Sequence, residues 1–508
     1  MKVFSTLLLV VLLSAIASAQ ERYVKGEVLV KIETGKSKLA DDGLRSFGAS
    51  IIEKLGDLGW QRIALPEGRS VEDSLKNFAD VPGVVAVQPN FYYRLLATPN
   101  DPMFSQSGMY GLPKISAPQA WDLTTGSSSV VVADIDTGLR YTHEDLAANA
   151  WTNPGEIQNN GIDDDSNGYI DDYYGYDFRF DDPDPLDQHG HGTHTAGTIG
   201  ATGNNLLGVV GVNWTVKIMA IKIYSAGATD STSAMLVNAY NYVRIMKNRG
   251  INIRVTNNSY GDCPEACGYD QATRDALEAL GDAGVLNVFA AGNNNRNVDT
   301  GAPHFPSSYT LPTILSVASS TSTDARSSFS NYGTTSVDLA APGSGILSTT
   351  NGSNSSYGSS SGTSMATPHV AGAAALLSAY NSNLSAASLK ATLMNSVDAL
   401  AAWNGIVKSG GRLNIANAIQ NQTVCTFDLA TTSISVRTKG GYYSVGVTAP
   451  NNCDYSIKSN ANWIKVEPGP VGSGSGTVSF RVTVNPTITR QGTLTIAGQT
   501  FTVTQSRQ

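Results

Sequence analysis

Three short stretches of this chain set reactive side chains among small residues. The first is Gly362-Thr363-Ser364-Met365-Ala366-Thr367-Pro368-His369, which runs into an almost uniformly apolar segment, residues 370–379. An all-round apolar helix belongs inside a domain, so Ser364 is expected at the amino end of a buried rod. Unpaired N–H groups and the positive end of the helix dipole favour negative charge there. A tetrahedral oxyanion is such a charge. Pro368 removes the usual helical partner of the Ser364 carbonyl, and a local rule broken beside a polar residue marks a candidate site. The other reading is a capping serine in a Ser/Gly loop.

The second stretch, His189-Gly190-His191-Gly192-Thr193-His194, holds three of the six histidines. A metal site is one reading, since imidazole is a common ligand, although the His-Glu-x-x-His spacing is missing. A catalytic base is another, with small neighbours that let a nucleophile approach, and purely structural histidines are the third. The third stretch is Asp136-Thr137-Gly138, at the end of the apolar run 130–135.

The elements that must hold these residues alternate between strand and helix from about 98 to 422. Residues 216–224, 255–258 and 285–291 read as strands, 233–246 and 272–280 as helices. Apolar strands alternating with helices imply a parallel sheet covered on both faces. In such sheets the chemistry sits beyond the carboxyl ends of the strands, where Asp136 and Asn293 both fall. The whole chain of 508 residues is too long for one domain. A net charge of −8 and a pI near 5.3 give no reason to expect nucleic acid or an anionic membrane as partner. Lys2, the apolar run 4–13 and Ala17-Ser18-Ala19 read as a secretory signal peptide cut after Ala19, and no later segment reaches membrane-spanning length. The protein is therefore expected to be secreted.

Asp136-Thr137-Gly138, His191-Gly192-Thr193-His194 and Gly362-Thr363-Ser364-Met365-Ala366 resemble the three active-site motifs of the subtilisin-like serine proteases, in that family's chain order. The resemblance implies an α/β fold, a parallel sheet flanked by helices, and an Asp136–His191–Ser364 triad cutting peptide bonds through an acyl-enzyme. It implies that Asn293 donates its amide to the oxyanion. Ser259, Tyr260 and Gly261, with Ala291 and Gly292, correspond to the substrate-binding segments. Tyr260 departs from the family's usual leucine, and His304 stands where many relatives have Gly or Asn at the base of the specificity pocket. An inactive subtilisin-like binding protein is the alternative, disfavoured because no triad residue is missing. A serine esterase lacks its Gly-x-Ser-x-Gly elbow here.

The resemblance extends to structural calcium. Gly203, Asn205, Leu207 and Val209, with Asp101 and Asp145, match a thermitase-like calcium site of hard oxygen ligands. A second candidate, Asp163, Asp165, Asn167 and Asp171, follows the start of an EF-hand pattern, but Tyr174 stands where its closing Glu belongs. The domains expected are a signal peptide (1–19), an inhibitory α+β propeptide (20–96), the catalytic domain (97–422) and a small β-sandwich (424–508). The last resembles BACON-type domains, some of which are thought to bind glycans or mucins, and its Trp463 reads as core before ligand platform. Disulfides are expected within Cys263/Cys267 and within Cys425/Cys453, because crossed pairs would tie separate domains together. The partners expected are protein or peptide substrates, the chain's own propeptide and a glycan or protein ligand of the last domain. Processing near Leu96–Ala97 suggests leucine before the cut and an aromatic residue, as Tyr93, three positions upstream, with His304 placed to overturn that preference.

Overall fold

The computed structural model describes residues 23–92, 97–227, 230–263, 269–421, 427–449, 453–467, 471–485 and 489–506. The expected signal peptide, the tail 93–96, Cys267 and Cys425 lie outside the described residues. The chain divides into two compact units, Met1–Leu95 and Leu96–Gln508.

In the first unit β1 (Tyr23–Ile32), β2 (Ser50–Leu55), β3 (Trp60–Ala64) and β4 (Val84–Phe91) form an antiparallel sheet in the order β2-β3-β1-β4. Helices α1 (Ser37–Ser46) and α2 (Val71–Ala79) give it Leu44, Val71 and Phe78, which share a core with Val28, Val30 and Ile63. The Ser70 hydroxyl accepts from Asp73 N at 3.1 Å and caps α2, as the Ser-x-x-Asp pattern predicts.

The second unit opens with two short helices, α3 (Gly111–Lys114) and α4 (Ala117–Trp121). Its sheet is built from β5 (Gly126–Asp136), β6 (Gly175–Asp177), β7 (Thr215–Lys222), β8 (Ile253–Asn258), β9 (Leu286–Ala290), β10 (Ile314–Ser320) and β11 (Leu339–Pro342). These seven run parallel in the order β11-β10-β9-β8-β5-β7-β6. One face is covered by α5 (His191–Gly200) and a later helix, Thr363–Tyr380; the other by α6 (Ser233–Asn248) and α7 (Gln271–Asp282). Continuous burial of the strands explains their unbroken apolar runs. The register sets Ile135 beside Asn258 and Asn258 beside Phe289, so the carboxyl ends of β5, β8 and β9 emerge together.

Beyond β11 the hairpin β12 (Ile346–Thr349) and β13 (Tyr357–Ser360) leads into α8 (Thr363–Tyr380). Residues 365–378 of α8 are all buried, as a helix without a polar face requires. Gly372 lies so close to α5's neighbour Val212 that a methyl there would come within 2.8 Å of its Cβ. Helix α9 (Ala386–Asn395), strands β14 (Asp398–Ala399) and β15 (Gly411–Arg412) and helix α10 (Ile415–Gln420) complete this part. β15 extends the parallel sheet beside β11, and β14 closes its edge antiparallel.

The remaining strands form a four-stranded and a five-stranded sheet. Val445, Phe480, Leu494, Ile496, Phe501 and Val503 fill one core, giving the β-sandwich that the alternating pattern predicts. Trp463 packs against this core with the Arg490 guanidinium 4.2 Å from its ring centroid. Cys453 is disulfide-bonded. Cys263 is a free, exposed thiol, which corrects the expected Cys263–Cys267 bridge. No helix among the described residues is long and apolar enough to cross a membrane.

Candidate active site

Four elements deliver the site. Asp136 ends β5; His191 opens α5; Asn293 follows β9; Ser364 is the second residue of α8. His191 Nδ1 lies 2.7 Å from Asp136 Oδ1, and Thr137 N donates to the same oxygen at 2.7 Å. Burial opposes the charged imidazole, but the Asp136 carboxylate beside it, helped by Asp134 and Asp187, more than compensates and raises the His191 pKa to about 8. The crowded histidines therefore part company. His194 turns inward to the Ile346 carbonyl at 3.0 Å, with burial holding its pKa down to about 4, while His189 and His191 line one cleft of about 310 Å³. Three histidines on one metal do not fit this arrangement.

The carbonyl that Pro368 leaves without a helical partner is satisfied from another element. Ser259 Oγ donates to Ser364 O at 3.0 Å, and Ser364 Oγ donates back to Ser259 O at 2.9 Å. This reciprocal pair locks the amino end of α8 against the segment after β8. The serine hydroxyl thus rests on a main-chain carbonyl.

Asn293 is aimed by its oxygen. Oδ1 accepts from Thr363 N at 2.8 Å and Thr363 Oγ1 at 3.0 Å, leaving the amide N–H groups directed elsewhere. A carbon at the Cβ position of Gly362 would lie 3.5 Å from Ser364 N and 3.7 Å from Asn293 Nδ2. Both donors therefore border one space beside the serine, the arrangement an oxyanion needs.

Several positioning residues escaped the sequence reading. Buried Asp187 accepts five hydrogen bonds, from Thr137 Oγ1, His189 N, Gly190 N, Thr193 N and Thr193 Oγ1. It joins the turn after Asp136 to the turn that opens α5. Gly192 permits that approach, because a Cβ there would fall 2.2 Å from Gly138 O. Asn331 holds the loop of Asn293 by donating to Ala291 O and accepting from Asn294 N and Arg296 N. Asp134, two residues before Asp136, accepts from Thr195 Oγ1 on α5 and Asn257 Nδ2 on β8. An acidic residue four positions before His191 is a faint signal in the sequence; nothing there marks Asn331.

Ser259, Tyr260, Gly261, Gly292 and His304 line the cleft, together with Ala290. Ala291 does not: its N–H donates to Val317 O, its carbonyl accepts from Asn331, and its side chain is buried. The Tyr260 ring turns into the core, where its hydroxyl meets Tyr240 Oη and donates to Asn258 Oδ1.

At the first calcium candidate the structure brings Asp101, Asp145, Asn205 and Val209 together. Asp145 accepts from Asn205 Nδ2 at 2.8 Å and Val209 N at 2.9 Å, and Asp101 from Asn204 N at 2.7 Å. Both carboxylates are buried. Burial raises the Asp101 pKa, and the Asp145 charge adds to the shift, so a divalent cation suits the pair. The second candidate is regrouped. Asp163 is spent on Asn167 N and Gly168 N, and Asp171 on Asn160 N and Gly161 N. Asp165 instead converges with Glu156 and Asp172, their oxygens within 4.8 Å of one another. Burial lifts the Asp172 pKa to about 6, while Glu156 Oε2 is buried without a hydrogen-bond partner and Asp165 Oδ1 faces the Arg249 guanidinium at 3.4 Å. Those acceptor atoms fit a hard cation better than the EF-hand spacing did.

The fold and this constellation define a serine protease of the α/β class. Residues 127–421 match the model of the subtilase family, 14–90 the fervidolysin N-terminal prodomain and 454–506 the BACON putative binding domain. Thermitase of Thermoactinomyces vulgaris is 36% identical over 323 residues, covering 64% of this chain and 99% of its own. A thermophilic serine proteinase of Bacillus sp. (strain AK1) is 32% identical over 399 residues, covering 78% and 88%. A protease structure from Pseudoalteromonas arctica superposes with a TM-score of 0.50 at 28% identity, covering 64% of this chain and 99% of that one. The chain belongs to the subtilase family and is a serine endopeptidase carrying a prodomain.

A general base works only when neutral, and the pKa of His191 is raised to about 8. The kcat/KM of the mature enzyme is therefore expected to rise with pH through a midpoint near 8, so that pH 9 exceeds pH 6 by more than about tenfold. For stability the sign reverses. The His191–Asp136 pairing contributes fully below about 6.5 and fades as pH passes about 8. Asp136→Asn should lower the kinetic midpoint towards the ordinary histidine value along with kcat. A pH–rate profile of wild type and variant checks both; a wild-type midpoint near 6 with no shift in the variant would contradict it.

Proposed function

We propose that this chain is a secreted, autoprocessed endopeptidase working through Asp136, His191, Ser364 and Asn293. The observation that carries the reading is the 2.7 Å His191–Asp136 pair in one cleft with Ser364 and Asn293. Ser364 Oγ attacks the peptide carbonyl as its proton passes to His191 Nε2, while Asp136 holds the Nδ1–H tautomer and steadies the imidazolium. Asn293 Nδ2 and Ser364 N receive the oxyanion, which forms at the amino end of α8 where the helix dipole favours it. His191 then protonates the leaving amine, and water hydrolyses the acyl-enzyme by the same route in reverse. An inactive binding protein would lack an acid, base or nucleophile, and none is lost here.

Secretion rests on the leader at residues 1–19 and processing on the prodomain, with the cut placed near Leu96–Ala97. Calcium would be held by Asp101, Asp145, Asn205 and the carbonyls of Gly203, Leu207 and Val209, and a second ion by Glu156, Asp165 and Asp172. Each ion would neutralise buried carboxylates and take no part in bond cleavage. We assign the Cys453 bridge to Cys425, and a protein or glycan ligand to the last domain.

Ser364→Ala should leave the precursor uncut and lower kcat by about six orders of magnitude, because triad members act as a unit. Gel analysis of the purified variant checks maturation, and normal processing with no other protease present would sink the assignment. Casein clearing by the wild type should be abolished by phenylmethylsulfonyl fluoride and survive a zinc-selective chelator.

Calcium that binds only the native state stabilises it by RT ln(1 + [L]/Kd). Asp145→Ala should keep kcat at saturating calcium yet shorten the half-life on heating, and Glu156→Gln should do the same at the second site. Inactivation of the wild type at one rate with calcium and with chelator would exclude both sites.

A further inference from the structure

The cleft beside Ser364 continues as a slot between the segment after β8 and the segment after β9. Ser364, Asn293, Gly261, Gly292 and His304 line one cleft, so this slot is the space open to a side chain attached next to a carbonyl held at Ser364 Oγ and Asn293. Its walls are Gly261 and Gly292, and the His304 ring lies across its base. A Cβ on Gly261 would fall 2.1 Å from His304 Cε1, and one on Gly292 2.4 Å from Cδ2. The Nε2 atom is near both positions, at 2.9 Å and 2.7 Å. The Cε1–Nε2–Cδ2 edge of the imidazole therefore lies between the two glycines, Cε1 towards Gly261 and Cδ2 towards Gly292.

Its hydrogen-bonding state is fixed from behind. The Ser307 hydroxyl donates to the His304 carbonyl at 2.7 Å, so its oxygen is left to accept from His304 Nδ1 at 3.1 Å. A neutral ring protonated at Nδ1 carries its lone pair on Nε2. His304 is 3% exposed, and burial depresses its pKa to about 4. The charges that face it, Asp262 and Arg296, are joined to each other at 2.7 Å and oppose each other's effect on the ring.

We propose that His304 selects an uncharged hydrogen-bond donor, glutamine first, at the residue whose carbonyl Ser364 attacks, an inference that rests on the catalytic reading above. The amide of glutamine reaches the base of the slot and donates to Nε2. Glutamate, of the same shape, sets acceptor oxygens and a charge against the lone pair. Leucine fills the space but leaves a buried acceptor without a hydrogen, which costs binding. An aromatic ring collides with the imidazole. Lysine and arginine bring a charge into a slot whose facing carboxylate, Asp262, is already held by Arg296. This departs from the expectation of leucine taken from Leu96, because a single cut of the chain's own precursor sets no scale for turnover of other peptides.

The test compares kcat/KM on one peptide series differing only at the residue before the cut: Gln, Glu, Leu, Met and Phe. Gln should exceed Leu and Met by about tenfold or more, and Glu by more, since a site built for a substrate donor rejects analogues that lack it. In His304→Leu the advantage of Gln over Met should vanish, and in His304→Gly the Phe peptide should become a good substrate. A wild type that prefers Leu or Phe overturns the proposal, as does a Gln preference that survives His304→Leu. If the variants do not fold, the wild-type series decides alone. Casein cleavage with an apolar profile would end this inference only; no cleavage of casein or peptide would end the catalytic reading as well.

Discussion

A helix without a polar face has to be buried along its whole length, yet its first turn carries N–H groups that cannot pair inside it. That constraint governs α8. The sheet covers its apolar body, and its amino end stops where three parallel strands end side by side. There Thr363, Ser364 and the carbonyl freed by Pro368 meet Asn293 and Ser259. Paired burial and polar satisfaction thus bring the serine, the two donors and the substrate-lining segment to one place. The positive end of the helix is held in position before any negative charge develops, so little reorganisation is left for the reaction itself.

Asp136 and His191 are held by a second set of buried polar contacts. Asp187 binds the turn of Asp136 to the turn of His191 through five hydrogen bonds, and Asp134 ties β5 to α5 and β8. Asn257 continues the chain, donating both to Asp134 and to Ser259 Oγ, which in turn holds the Ser364 carbonyl. Burial pushes the Asp134 pKa well up, with the Asp136 charge adding to it. Each of these groups would be costly to leave unpaired in a dry interior, so the network stands or falls together.

Much of this was legible in the sequence because it depends on local pattern. The continuous apolar strands, the Ser70 cap, the uniform α8 and the three motifs are statements about neighbours in the chain. What escaped depends on contacts between distant residues. Ala291 looks like a substrate residue from its motif, but its main chain is spent on Val317 and Asn331. Asp163 and Asp171 fit a calcium spacing, while the fold uses them to hold backbone turns and brings Glu156 and Asp172 to Asp165. The free thiol of Cys263 shows the same limit: a second cysteine four residues away in sequence is not enough to make a disulfide.

The central claim is that Ser364 is activated by His191 and Asp136 within the cleft at the end of α8. Labelling the mature enzyme with a fluorophosphonate and mapping the adduct by peptide mass spectrometry tests it most directly. One adduct per chain on Ser364, with labelling slowed at least about a hundredfold by His191→Ala, is the result predicted. An adduct on Ser259 or spread over several serines, or labelling of Ser364 at an unchanged rate without His191, would contradict it.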